Sequence, residues 1–263
     1  MANFTAKDVQ ALRQATGAGM MDAKKALEET DGDTGAAAKL LRERGLAQQQ
    51  KRTDRENTQG AVAVGRSGSA ASIVQLKSET DFTAKSDDFK TLAQQIADAV
   101  AGKGAGAVDE FRDRVDDLKV SIKENIELGE VVYFDGAGGN ILDTYLHVQN
   151  ERGVNAVLVE LAGGTEELAH DIAVHIAFGK PEYLKREDVP ANLVEEERKT
   201  LEDITRKEGK PEQAVAKIVE GRLTGWFKDR VLLDQPFAKD DKQSVQQVLG
   251  DAQIVRYAQV VVG

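Results

Sequence analysis

The residues best equipped for chemistry are few, and their spacing excludes more than it offers. The 263-residue chain has no cysteine and three histidines, His147, His170 and His175. Without thiols there is neither a disulfide framework nor a cysteine-based zinc site. His170 and His175 stand five apart on a stretch with helical periodicity, off the three- and four-residue spacings that bring side chains to one face. They read as core or surface histidines rather than metal ligands. GKGAGA (102–107) has the glycine content of a phosphate cradle, but it follows a helix rather than a strand, and no GxxxxGK(S/T) occurs. There is no GxSxG, no HExxH and no plausible nucleophile–base pair. The chain does not read as an enzyme, and no metal or cofactor is expected.

One short stretch remains, ETDFTAK (Glu79–Lys85), where Phe82 sits directly after Asp81 among charged and hydroxylated neighbours. Its position between a strand and a helix reads as a loop. Two readings are open. Phe82 could tuck beneath its own following helix as a staple, with Ser86 as N-cap. Alternatively the ring stands exposed beside a fixed carboxylate, as an anchor for a partner's pocket, where aromatics dominate binding energy. Phe89, Leu92 and Ile96 already supply the buried stripe of that helix, which favours the second. Met20 and Met21 pose a similar question. Adjacent helical residues diverge by about 100°, so both cannot be buried in a small unit, and the alternative is an adaptable contact surface.

The elements that would position these residues fall into distinct textures. Residues 1–46 read as three short helices. Thr5 with Asp8 makes a capping-box start, TGAG (16–19) breaks the first helix, and Met20–Glu29 forms the second, with Ala23, Ala26 and Leu27 on one face. The third covers about Thr34–Arg44, with Gly45 where a C-cap belongs. So small a unit is marginal alone, which suits a docking module. Residues 47–59 are polar throughout and read as a linker.

Beyond them lies a duplication. AVAV (61–64) and SIVQLK (72–77) make a hairpin, followed by a helix over about Asp87–Ala101. A helix over about Val115–Ile126 and a strand VVYFD then lead into LDTYLHV, NAVLVEL and a helix over TEELAHDIAVHIAF. LAQQIADAVA (92–101) and LAHDIAVHIA (168–177) match in register, so two α+β copies are expected, over 60–140 and 141–263. The first copy carries about nine extra residues between strand and helix, and ETDFTAK lies within them. An addition that packing does not require marks a place where function has been added.

Within the second copy, residues about 183–228 read as an inserted antiparallel helical hairpin. Leu193, Val194, Leu201 and Ile204 form its seam, GKP (209–211) its turn, and Val215, Ile218, Val219, Arg222 and Trp226 its return face. A short helix, SVQQVL, and a last strand, IVRYAQVVV, close the second sheet. The fold class is thus α+β: a three-helix N-terminal domain, a duplicated hairpin–helix core of antiparallel sheet plus helices, and a helical hairpin insert.

The formal charge of −10 argues against phosphate-backbone binding, whose footprint is basic, and favours protein partners over nucleic acid. No stretch approaches membrane-spanning length, and the first residues show no apolar signal segment. A cytoplasmic protein is expected.

At TGAGMMDAKKAL (16–27), taken with TDFTAK (80–85), the sequence resembles the bacterial elongation factor Ts family, whose members exchange nucleotide on elongation factor Tu. KPEYL (180–184), GKPE (209–212), IVEGRL (218–223), LLDQPF (232–237) and SVQQVL extend the resemblance over essentially the whole chain. Departures are Thr83 where the family commonly has valine, Ala23 and Ser78 where it often has cysteine, and no C-terminal helix such as some members add. The resemblance implies a helical, UBA-like N-terminal docking domain. It implies that Thr80, Asp81, Phe82 and Thr83 form a segment that intrudes into the partner GTPase, Phe82 between two of its helices and Asp81 near its Mg²⁺ site. By the same resemblance Arg13, Met20 and Met21 grip another helix of that domain, and His147 also faces the partner. Both the GDP-bound and the nucleotide-free partner would be bound, with no direct nucleotide binding by this chain. A homodimer or 2:2 complex through the helical hairpin, as in some relatives, is a further arrangement the resemblance raises.

Overall fold

The computed structural model describes residues 3–50 and 55–262. They fall into two compact units, one of residues 1–133, 148–154 and 260–263, the other of 134–147 and 155–259. Both mix helix with antiparallel sheet, as the α+β reading requires.

In the first unit, α1 (Ala6–Thr16) opens on a complete capping box between Thr5 and Asp8 and ends at Gly17 in the left-handed region (φ 66°). α2 (Met20–Glu29) and α3 (Thr34–Gln50) follow. Val9, Leu12, Ala23, Ala26, Leu27, Ala37 and Leu41 make their common core. The third helix does not stop at Gly45. A Cβ there would lie 2.5 Å from Val120 Cγ1, so Gly45 serves close packing rather than capping, and AQQQ contains no breaker. Residues 47–50, expected in the linker, therefore prolong α3, while 51–54 lie outside the described residues.

β1 (Gln59–Ser67) and β2 (Ala70–Ser78) pair antiparallel, Ala61 opposite Leu76 and Ala63 opposite Val74. Residues 79–86 lead to α4 (Asp81–Lys85) and then α5 (Asp87–Lys103). The expected stripe holds: Phe89, Leu92, Ile96 and Val100 are buried against Ala61, Ala63, Val74 and Leu76. α6 (Arg112–Ile122) ends where Lys123 turns left-handed (φ 68°). This is earlier than the expected Ile126, which is fully buried in the corner that follows. β3 (Glu127–Phe134) then pairs beside β2.

The second sheet has the order β4 (Ile141–Gln149), β5 (Arg152–Ala162), β8 (Gln253–Val261), so the last strand completes it as expected. Between β5 and β8 come α7 (Glu166–Gly179), α8 (Ala191–Lys207), α9 (Glu212–Arg230), the pair β6 (Pro236–Phe237) and β7 (Asp240–Ser244), and α10 (Val245–Leu249). Val157, Val159 and Leu161 of β5 pack on Ile172 and Ile176 of α7. Hairpin plus helix thus recurs in both units, with residues 79–86 bridging strand and helix in the first and only 163–165 in the second.

α8 and α9 form the expected helical hairpin, turning at Gly209 (φ 73°). Its seam differs from the expected one. Val194, Leu201 and the buried Thr205 face inward, opposite Val215, Val219, Leu223 and Phe227. Leu193 and Ile204 are exposed: Leu193 is one residue, about 100°, away from Val194 and so turns outward. No helix among the described residues is long and apolar enough to cross a membrane.

Candidate functional site

The connection between β2 and α5 is not an irregular loop. Asp81–Lys85 form a helical turn with Thr80 as N-cap, its Oγ1 accepting from the Thr83 N–H at 3.3 Å. Asp and Lys lie at i and i+4, the order that suits helix ends, and Lys85 Nζ donates to Asp81 Oδ2 at 2.6 Å. The Ser86 hydroxyl closes the far end on the Thr83 carbonyl at 2.8 Å. Ser86 therefore terminates this turn, and as the flanking residue of α5 its side chain makes no capping bond.

The turn is tied down from several sides. Ser78 Oγ donates to the Thr80 carbonyl at 3.0 Å. Glu124, from the corner after α6, accepts from the Thr80 N–H at 3.1 Å and from its hydroxyl at 2.6 Å. Next to it, the Asn125 N–H donates to Glu79 Oε1 at 2.6 Å, and the Asn125 side-chain amide donates to the Arg55 carbonyl at 2.9 Å. Ala84 and Thr83 point inward and are buried.

On this braced turn Phe82 is 82% exposed, more than any other large apolar side chain described. Full burial of a phenylalanine contributes about 1.5–3 kcal/mol, and the staple reading would have collected that within the chain. The ring instead stands in water between two charged groups. The Asp81 carboxyl is held below its ordinary value by the hydrogen bond from Lys85, against a smaller opposing effect of burial, with the charges of Lys85 and Arg152 adding to the lowering. It is an ionised carboxylate at neutral pH. The Lys85 ammonium lies 6.0 Å from the Phe82 ring centroid, at the outer limit of a cation–π contact.

The other residues singled out in the sequence are distributed over both units. In the first unit Met20 and Met21 open α2 after Gly19, and both are exposed, at 48% and 62%. Neither is drawn into the core, where Ala23, Ala26 and Leu27 fill the contact of α2 with its neighbours. Arg13 lies exposed on the last turn of α1. In the second unit His147 is exposed at the end of β4, its ring stacked 6.5 Å from Tyr145. His170 pairs with Asp143 at 2.9 Å on the surface. His175 is buried, with Nε2 3.0 Å from Gln235 Oε1 and Nδ1 accepting from the Ala238 N–H at 3.1 Å. Among the described residues no group of His, Asp and Glu has the makings of a metal site.

Glu79, Glu124 and Asn125 were not foreseen. Glu79 has nothing in its local sequence to set it apart from the other charged neighbours of Phe82, and Glu124 meets Thr80 across forty-four positions of sequence, a separation at which spacing carries no signal.

A family model described as Elongation factor TS matches residues 79–263. Among curated relatives, a protein of Mycolicibacterium vanbaalenii named Elongation factor Ts is 44% identical, over 100% of this chain and 99% of its own length. Proteins of the same name from Renibacterium salmoninarum and Nocardioides sp. are each 46% identical over the full length of both chains.

Proposed function

This chain belongs to the elongation factor Ts family, with a role in translation elongation, and from that premise we propose that it is a guanine-nucleotide exchange factor for elongation factor Tu. Phe82 enters a pocket of the partner's GTPase domain, and the Asp81 carboxylate comes close to the partner's Mg²⁺. Arg13, Met20 and Met21 hold a second surface of that domain, and His147 also faces the partner. The observation that carries the reading is Phe82 itself, a ring 82% exposed on a turn whose N-cap is bonded to Glu124.

The physics of exchange asks for no bond-making by this chain. A GTPase holds GDP through Mg²⁺ and the backbone amides of its phosphate loop. A protein that binds the nucleotide-free form better than the GDP-bound form weakens GDP by the same factor, by linkage. Moving such an equilibrium from 1:99 to 99:1 takes about 5.5 kcal/mol of differential affinity. An anchor residue supplies about 2 kcal/mol or more, so the N-terminal and second-unit surfaces are needed for the remainder. A carboxylate near Mg²⁺ competes for its coordination sphere, and Asp81, whose ordinary value already lies far below neutral pH and is lowered further by the hydrogen bond from Lys85, carries that charge. Rebinding of GTP then displaces the factor. The direct test is release of a fluorescent GDP analogue from purified elongation factor Tu, with and without this chain.

One observation favours a second role for the hairpin. Leu193 and Ile204 are eleven residues apart, three helical turns, so they share the outer face of α8, and both are exposed. This stripe suits self-association into a homodimer, or a 2:2 complex with the partner. Sedimentation of Leu193→Glu/Ile204→Glu beside the unaltered chain tests it.

A further inference from the structure

α6 and the corner after it touch both surfaces that the proposed function assigns to the partner within the first unit. Along the helix, Arg42 of α3 bonds Asp117 Oδ1 at 2.8 Å and Asp113 Oδ1 at 3.0 Å. A Cβ on Gly17, at the end of α1, would lie 3.4 Å from Ser121 Cβ, and one on Gly45 would run into Val120. The three-helix unit carrying Arg13, Met20 and Met21 is thus seated along α6. Four residues beyond Val120, past the left-handed Lys123, Glu124 accepts from both donors of Thr80, and the Asn125 N–H donates to Glu79.

We infer that Glu124, with Asn125 beside it, is a positioning residue for exchange. It fixes the pitch of the Phe82 turn against α6, so that the Phe82 wedge and the Met20–Met21 surface meet the partner as one preformed unit. The inference rests on the exchange reading. Its physical basis is pre-organisation: a wedge already held in its bound geometry pays no ordering cost on docking. The bracket is built for this, since the two Thr80 bonds use both oxygens of one carboxylate and anchor the N-cap itself, the residue that sets the direction of the turn. Asn125 is 4% exposed and bonds both the flanking Glu79 and the Arg55 carbonyl, so the corner has little slack. Glu124 itself need not touch the partner.

The test uses the full chain with elongation factor Tu, reading the maximal rate of fluorescent-GDP release at saturating factor. Glu124→Ala should lower it at least fivefold, and Glu124→Gln, which keeps an acceptor oxygen, should recover part of the loss. Amide hydrogen exchange over residues 80–85 should quicken in Glu124→Ala while the α2 amides stay protected. Thr80→Val provides a second cut at the same bracket, away from the corner, and should reproduce the loss if Glu124→Ala melts early. The deciding comparison is Phe82→Ala/Glu124→Ala: the bracket acts through the ring, so the double variant should be no slower than Phe82→Ala alone. A further fivefold loss in the Phe82→Ala background would overturn the inference, as would a full rate in Glu124→Ala. If Phe82→Ala alone exchanges at the unaltered rate, the exchange reading itself fails, which is a distinguishable result.

Discussion

Lys85 and Asp81, one helical turn apart, close an ion pair at 2.6 Å along the flank of the exposed Phe82 ring. The pair gives the wedge a charge pattern as well as a shape. Because the folded-state value of Asp81 is depressed, its contribution to stability is present above the ordinary carboxylate value of 3.8 and is lost as pH falls through the lower folded value. Carboxyl-carbon NMR should therefore find Asp81 titrating below 3.8. In Lys85→Met, which removes the first cause of the shift, the midpoint should move back upward. An unchanged midpoint would show that the pair does not hold the carboxylate.

Met20 and Met21 present thioethers to solvent rather than to the α1–α3 core. Met20→Ala/Met21→Ala should move the melting temperature by no more than about 2–4 °C, since each exposed site rarely contributes more than about 0.5 kcal/mol. Affinity for nucleotide-free elongation factor Tu should fall about tenfold, roughly 1.4 kcal/mol. Calorimetric titration beside a thermal melt separates the two. Unaltered affinity would remove these residues from the docking surface.

His175 supplies a pH dependence unrelated to docking. Burial pushes its imidazole below the ordinary 6.5, opposed by the hydrogen bond to Gln235. Above 6.5 the ring is neutral in folded and unfolded chains alike and the term is level. Below it the unfolded chain takes up a proton that the folded site resists, so stability declines as pH falls. Melting should come earlier at pH 5.5 than at pH 7.5, by about 2–4 °C for each kcal/mol lost. His175→Gln should shrink that difference. Equal shifts in both chains would assign the pH dependence to other groups.

Much of this architecture is written locally and could be read from sequence. The Thr5–Asp8 box, the β1–β2 hairpin and the Phe89–Leu92–Ile96–Val100 stripe are all set within single short segments of the chain. What escaped is what tertiary contact decides. Gly45 has the look of a stop, yet it lies inside a helix because Val120 leaves no room for a side chain. The α8 seam keeps Val194 and Leu201 of the four expected residues but not Leu193 or Ile204, since Leu193 and Val194 are equally apolar and only the facing helix distinguishes them. Asp81–Lys85 read as a loop because a five-residue helix has no periodicity to detect. Phe82 was legible as an anomaly of composition, but its exposure follows from Thr80, Glu124 and Ser78, which fix the turn from outside. Conversely, residues 79–86 stand out because the second copy of the motif joins strand to helix with residues 163–165 alone.

The claim on which the account rests is that the Phe82 ring displaces GDP from the partner. Stopped-flow release of fluorescent GDP from elongation factor Tu, comparing the unaltered chain with Phe82→Ala at equal saturation, tests it most directly. Release should be at least tenfold slower with Phe82→Ala, whose own melting is unchanged because the ring packs on nothing of consequence in the free chain. Release at the unaltered rate would contradict it, and so would a variant that is slow only because it has lost its fold.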